Sequence, residues 1–167
     1  GEAAQIRVAY RGKRPIAAEL LRLLAAHKVA GLSRGYGGTQ EHPTLVDPER
    51  HTAKDVGDEP LMLARHDPMM VALDRAAGLK ALESEGFTVA VVDDAHQNLK
   101  VAKDLHILVV DGDTRNGAWP FGDGGICPDG PLREPRDQAL ARTDIVVLWM
   151  PDAASQPDPA LSELFTG

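Results

Sequence analysis

The sequence predicts an α/β protein built as a three-layer, mostly parallel sheet with helices on both faces. Three observations predict it. Short apolar runs alternate with helix-like stretches, the pattern of repeated strand–helix–strand units. The runs are continuously apolar rather than alternating, as expected of strands covered on both sides. Several polar motifs fall directly after those runs, where open α/β sheets hold ligands.

The elements follow in order. Ile6 to Tyr10 reads as a first strand. Pro15, suited to the first helical position, opens a helix to about His27, with Leu20, Leu21, Leu23 and Leu24 on its buried side. Val29 to Ser33 is a second strand and leads into the glycine loop Ser33-Arg34-Gly35-Tyr36-Gly37-Gly38. Thr39 to Asp55 is polar and reads as a surface excursion with a short strand at Thr44 to Val46. Glu59 to about His66 is helical. Met69 to Leu73 is a strand, and Asp74 to Glu85 a helix that Gly86 ends. Val89 to Val92 is a buried strand ending in Asp93-Asp94. Leu105 to Val110 is another, ending in Asp111-Gly112. Gly112 to Gly130, rich in glycine and containing Pro120 and Pro128, is a loop. Pro135 to Ala141 is a helix and Ile145 to Trp149 the last strand. Residues 1–150 thus read as one domain, and 151–167 as a polar tail, loosely held.

Composition narrows the function. The 167 residues suffice for one domain with a sizeable core, and 43% apolar content is that of a folded chain. The net charge of −7 argues against wholesale nucleic-acid binding. The local exception is the basic group Arg7, Arg11, Lys13 and Arg14. Cys127 is the only cysteine, so no internal disulfide forms, which fits a reducing compartment. No secretory signal and no run of 18 apolar residues is present, so nothing here is expected to span a membrane. The six histidines show no metal-ligand spacing, which argues against zinc.

Five motifs carry chemistry, each beside a plainer reading. Val8 to Pro15 lies between a strand and a helix. A phosphate loop there needs glycines for backbone approach, a Lys for charge and a hydroxyl for Mg²⁺. Only Gly12-Lys13 fits, with Arg14 in the hydroxyl position, and an ordinary strand-to-helix turn explains the segment as well. Asp93-Asp94 ends a buried strand, the arrangement that holds Mg²⁺ near a nucleotide, or else caps a helix. Asp58, in Gly57-Asp58-Glu59-Pro60, is either a base for a hydroxyl proton or a helix cap. Glu134, in Pro131-Leu132-Arg133-Glu134-Pro135, suits a helix N-terminus by its charge alone. The glycines of Ser33 to Gly38 permit either close approach to a ligand or a tight turn.

Taken in order, these strings resemble one family. Ser33-Arg34-Gly35-Tyr36-Gly37-Gly38, Val56-Gly57-Asp58-Glu59-Pro60, Asp74-Arg75, Asp93-Asp94 followed by Gln97-Asn98, Lys103-Asp104-Leu105, Phe121-Gly122-Asp123-Gly124 and Gly130 to Pro135 resemble the tetraacyldisaccharide 4'-kinases from about Ile6 to Leu148. The resemblance implies a bacterial P-loop-type fold and transfer of the γ-phosphoryl of ATP to the 4'-hydroxyl of an acylated glucosamine disaccharide 1-phosphate, giving lipid IVA. It implies that Gly12, Lys13 and Arg14 form the nucleotide loop, with Lys13 on the β- and γ-phosphates. It implies Mg²⁺ held by Asp93 and Asp94 with Glu134 close by, and Asp58 as the base. Ser33, Arg34, Tyr36, Gln97 and Arg133 are then placed around substrate or phosphates. A cytoplasmic location with peripheral contact to the inner membrane follows from the same likeness.

The sequence also departs from the family pattern. Arg14 replaces the metal-binding Thr, and Ala9, Tyr10 and Arg11 crowd the cradle. Ala95 stands where the family has Gly, which matters if that position needs a positive φ. The loop from Asp113 to Pro120 is longer than usual. The match spans about half of a family member; the family's N-terminal membrane-associating helix and its C-terminal domain lie outside it. A rival reading is therefore an inactive α/β module that binds a nucleotide weakly or serves in interactions. A second rival, another P-loop enzyme such as a small-molecule kinase, fits poorly with the Ser33–Gly38 and Pro131–Glu134 strings.

Overall fold

The computed structural model describes residues 16–95, 98, 100–115, 117, 119–152 and 154–165. The expected strand Ile6–Tyr10, the phosphate-loop residues Gly12, Lys13 and Arg14, and Gln97 lie outside the described residues. The chain divides into two compact units, one from Arg14 to Ala102 and one containing Lys103 to Gly167.

The first unit is a three-layer α/β structure. Its strands are β1 (Val29–Ser33), β2 (Thr44–Leu45), β3 (Met69–Val71) and β4 (Val89–Val92), in the spatial order β2-β3-β1-β4. β1 pairs in parallel with β3, Gly31 opposite Met69, and with β4, Val29 opposite Val89. β2 runs antiparallel to β3 at the edge. The sheet is therefore mixed at that one margin.

The pleat sends successive residues to opposite faces, and both faces are apolar. Val29, Met69, Val71, Val89 and Val91 pack on one side with Leu21 of α1 (Ile16–Leu23) and with Val56 and Leu63 of two short helices, α2 (Ala53–Val56) and α3 (Asp58–Leu63). Ala30, Leu32, Met70, Ala90 and Val92 pack on the other side with Leu79 and Leu82 of α4 (Arg75–Ser84). Helices on both faces explain why the strands read as unbroken apolar runs.

Helix ends are set locally. Asp74 caps α4 by accepting from the N–H groups of Ala76 (2.9 Å) and Ala77 (3.4 Å). Gly86 follows α4 at φ 86°, the left-handed stop expected of it. The excursion from Thr39 to Asp55 is more ordered than its polarity suggests. The Asp55 carboxylate accepts from both the backbone N–H and the hydroxyl of Thr52, each at 2.7 Å, and so starts α2.

The second unit holds β5 (Ile107–Asp111) and β6 (Ile145–Trp149), parallel from Ile107–Ile145 to Asp111–Trp149, with α5 (Arg136–Ala141) before β6. Val110, Phe121 and Leu161 form its core. The tail after Pro151 is not loose. It ends in α6 (Pro159–Glu163), which Asp158 caps through Ala160 N–H at 2.9 Å. The Thr114 hydroxyl donates to the same carboxylate at 3.0 Å. Leu161 is fully buried and Phe165, four residues on, meets Phe121 edge to face at 6.3 Å. Two apolar residues at helical spacing outweigh the polarity of the rest.

Candidate functional site

Because β3, β1 and β4 are parallel, their carboxyl ends share one edge of the sheet. The glycine loop follows β1 there, and the Asp93-Asp94 turn follows β4. Topology alone brings these two motifs together.

The glycine loop is held by its own backbone. The Gly35 N–H donates to Ser33 Oγ (3.3 Å), and the Gly38 N–H to the Gly35 carbonyl (2.8 Å). The N–H groups of Thr39 and Gln40 then donate to the Asp55 carbonyl, at 3.0 and 3.3 Å. This loop lies directly on the connection between α2 and α3. A Cβ on Gly38 would stand 2.6 Å from the Asp55 carbonyl oxygen, and one on Gly57 would stand 2.8 Å from that of Tyr36. Gly57 also adopts φ 91°, ψ 154°, a conformation open essentially to glycine alone. The close approach that these glycines permit is therefore approach to another stretch of backbone. Its result is to start α3 beside the loop.

α3 opens with Asp58 and Glu59, both exposed. Gly57 occupies the cap position and no side chain caps this end, so Asp58 stands one residue inside the helix rather than serving as its cap. The Glu59 carboxyl lies above its ordinary range. Partial loss of hydration is the larger cause, although the residue as a whole is exposed, and the like charge of Asp93 is the second. That coupling ties the start of α3 to the end of β4. Arg34 and Tyr36 project into solvent, Tyr36 with 93% of its surface accessible.

Asp93 and Asp94 are both exposed, and the Asp93 N–H donates to the Leu32 carbonyl at 3.0 Å. Asp94 takes φ 47°, and it is the single non-glycine residue with positive φ among the described residues. Ala95 is buried and free of that requirement, so the loss of the family's glycine at 95 brings no strain. Behind the turn, Arg75 Nη2 donates to the carbonyl oxygens of Asp93 (3.1 Å) and Asp94 (3.0 Å).

Arg133 and Glu134 belong to the second unit. Arg133 is exposed. The Glu134 carboxylate is engaged by Arg142 Nη2 at 2.7 and 2.6 Å, a part-buried ion pair. The same unit carries an open cleft of about 480 Å³ lined by Trp119, Phe121, Asp123, Ile126, Pro135 and Arg136 among others. Cys127 is exposed on this loop. Sequence reasoning assigned no role to Glu59 or Arg75. Glu59 was signalled by its place one residue after Asp58. Arg75 stands in the Asp74-Arg75 string, but its contact carries no local signal, because its partners lie 18 and 19 residues away.

Mg²⁺ asks for one or two carboxylates and completes its shell with water and phosphate oxygens. Among the described residues no group of three or more His, Cys, Asp or Glu could cage a metal. The exposed Asp93-Asp94 turn, with Glu59 close enough for the Asp93 charge to raise its carboxyl, nonetheless fits so open a site.

Fold and edge together define a three-layer α/β protein whose glycine loop and Asp93-Asp94 turn share the carboxyl edge of its parallel strands. The family model of the tetraacyldisaccharide-1-P 4'-kinases matches residues 5–164, and the chain belongs to that family. The tetraacyldisaccharide 4'-kinase of Caulobacter vibrioides is 54% identical over 149 residues, which cover 88% of this chain and 44% of the relative. That of Phenylobacterium zucineum is 51% identical over 150 residues, 90% of this chain and 45% of the relative. A crystal structure of the "apo" form of LpxK from Aquifex aeolicus in complex with ATP superposes with a TM-score of 0.65 at 30% identity, covering 80% of this chain and 42% of that one. The chain thus spans a little under half the length of the curated relatives it matches.

Proposed function

We propose that this chain supplies the nucleotide-binding portion of an ATP-dependent kinase that phosphorylates the 4'-hydroxyl of tetraacyldisaccharide 1-phosphate. The observation that carries the reading is the shared acidic edge, where Asp58 and Glu59 open α3 beside the turn of Asp93 and Asp94. In the reaction the 4'-oxygen forms a bond to the γ-phosphorus, the bond from that phosphorus to the bridging oxygen of ADP breaks, and the hydroxyl proton passes to Asp58. Asp58 suits that role because it is exposed at the helix start and has no capping duty. Asp93 and Asp94 would hold Mg²⁺, with water and phosphate oxygens completing its shell, and the ion would supply charge neutralisation to the phosphates. Lys13, between Gly12 and Arg14, would add positive charge at the β- and γ-phosphates.

Exposed Arg34, Tyr36 and Arg133, with Ser33 and Gln97, would meet the lipid substrate or its phosphate. We assign residues 1–150 to one kinase domain. We place the reaction on the cytoplasmic side of the inner membrane, with peripheral contact to it. No helix among the described residues is long and apolar enough to cross a membrane. The test is transfer of labelled phosphate from ATP, with Mg²⁺, to the disaccharide in detergent micelles. Product from the chain and none from Asp58→Ala supports the reading. No product above that control rejects catalysis by this chain alone.

A second reading, an inactive module derived from the kinase, is favoured by one observation: the Glu134 carboxylate is occupied by Arg142. With Arg14 in the hydroxyl position of the phosphate loop, two of the groups that should serve the metal are diverted or replaced. Arg14→Thr separates the readings, since a gain in Mg²⁺-dependent ATP affinity supports a damaged nucleotide site.

A further inference from the structure

We propose that Arg75 is the positioning residue that holds the Asp93-Asp94 turn in the conformation that receives a divalent cation; this rests on the kinase reading above. Arg75 is the first residue of α4 and is 9% exposed, the one charged residue buried among the described residues. One of its nitrogens spans two consecutive carbonyls, those of Asp93 and Asp94. Its Nε is buried with no partner. A guanidinium withdrawn from water onto two neutral acceptors, with a third donor unused, is a costly way to fasten a turn. A neutral donor would fasten it with less desolvation.

The charge has a second effect at this place. The turn carries two carboxylates, and a third acid, Glu59, opens α3 near Asp93. Carbonyls directed inward to Arg75 leave the Asp93 and Asp94 side chains on the solvent side, where both residues are exposed. The cation behind the turn offsets part of the repulsion among the acids in front of it. It also fastens Asp94 at φ 47°, a conformation that a free aspartate seldom adopts. Asp74, one residue earlier, fixes the start of α4 and so fixes where the Arg75 side chain departs. Two adjacent residues thus share the work, one anchoring the helix and the other the turn.

The experiment uses the full chain with Arg75→Lys, which keeps a charge but loses the planar fork, and Arg75→Met, which keeps bulk only. Thermal melts first establish that each variant folds. Hydrogen exchange is then followed at the amides of Asp93 to Asn98, and ATP affinity is titrated by calorimetry with Mg²⁺ and again in EDTA. Both variants should exchange faster in this segment while β1 and β3 stay protected. Their ATP affinity in Mg²⁺ should fall on the order of tenfold, as for other residues that orient metal ligands, with affinity in EDTA unchanged. Unchanged exchange at 93–98 in a folded variant overturns the proposal, whatever the nucleotide data show. Faster exchange with unaltered Mg²⁺ dependence also overturns it, leaving Arg75 a purely structural clamp. Wild-type chain that binds ATP equally with and without Mg²⁺ overturns instead the kinase reading on which the proposal rests. If Arg75→Met fails to fold, Arg75→Lys carries the test alone; if neither folds, Arg75 is a fold-forming residue and the proposal fails.

Discussion

At the scale of single residues, Gly57 and Glu59 invite direct tests. Gly57 combines φ 91° with a backbone oxygen 2.8 Å from where a Cβ would lie. Gly57→Ala should therefore cost on the order of 1–3 kcal/mol, read as a lower midpoint in urea unfolding. Glu59 gives a pH signature. Its carboxyl is raised in the folded chain, so the native state binds a proton more readily than the unfolded chain does. The resulting stability is fully present below the ordinary glutamate range and is lost as pH rises through the raised value. Glu59→Gln should abolish that decline, seen as a flatter dependence of melting temperature on pH just above the glutamate range. Asp55 has the opposite sign. Its hydrogen bonds from the Thr52 backbone, then from the Thr52 hydroxyl, lower its pKa. The stability it contributes is present above the ordinary aspartate range and fades as pH falls through the lowered value. Asp55→Asn should remove that acid-side loss in the same melts.

Among the elements, the caps decide what is fixed and what is free. Asp74→Ala should cost about 1 kcal/mol, measured by urea unfolding, because two N–H groups at the start of α4 lose their acceptor. The elements that the sequence discloses are those with continuous apolar runs: β1 and β4 fall on the expected residues, and β6 does too. Asp74, Gly86 and Asp93-Asp94 were equally legible, since each closes or opens an element. The missed pieces are short. α2 has four residues and rests on one carboxylate, and α6 has five and rests on Leu161. Neither shows enough turns for a helical period to emerge. The sequence singles out Asp58, Asp93 and Asp94 but neither Glu59 nor the support of the turn. Arg75 meets Asp93 across 18 residues of sequence, and the packing of Gly38 on Asp55 depends on two loops meeting in space. No spacing rule reports either contact.

For the whole molecule, the two units differ in how much apolar surface they bury. The unit from Arg14 to Ala102 has core clusters on both faces of its sheet, whereas the other centres on Val110, Phe121 and Leu161. Regions with fewer buried apolar contacts open at lower free energy. Amides of β5 and β6 should therefore exchange before those of β1 and β3, and a reversed order in hydrogen exchange would contradict this. The same division has an optical consequence. Both tryptophans of the chain, Trp119 and Trp149, lie in the second unit, while the acids of the candidate site lie in the first. Tryptophan fluorescence will thus arise in one unit alone, with no tryptophan beside Asp58 or Asp93 in the sequence. A tryptophan placed in the first unit, at the solvent-facing Tyr36 for instance, would give that half of the chain a signal of its own.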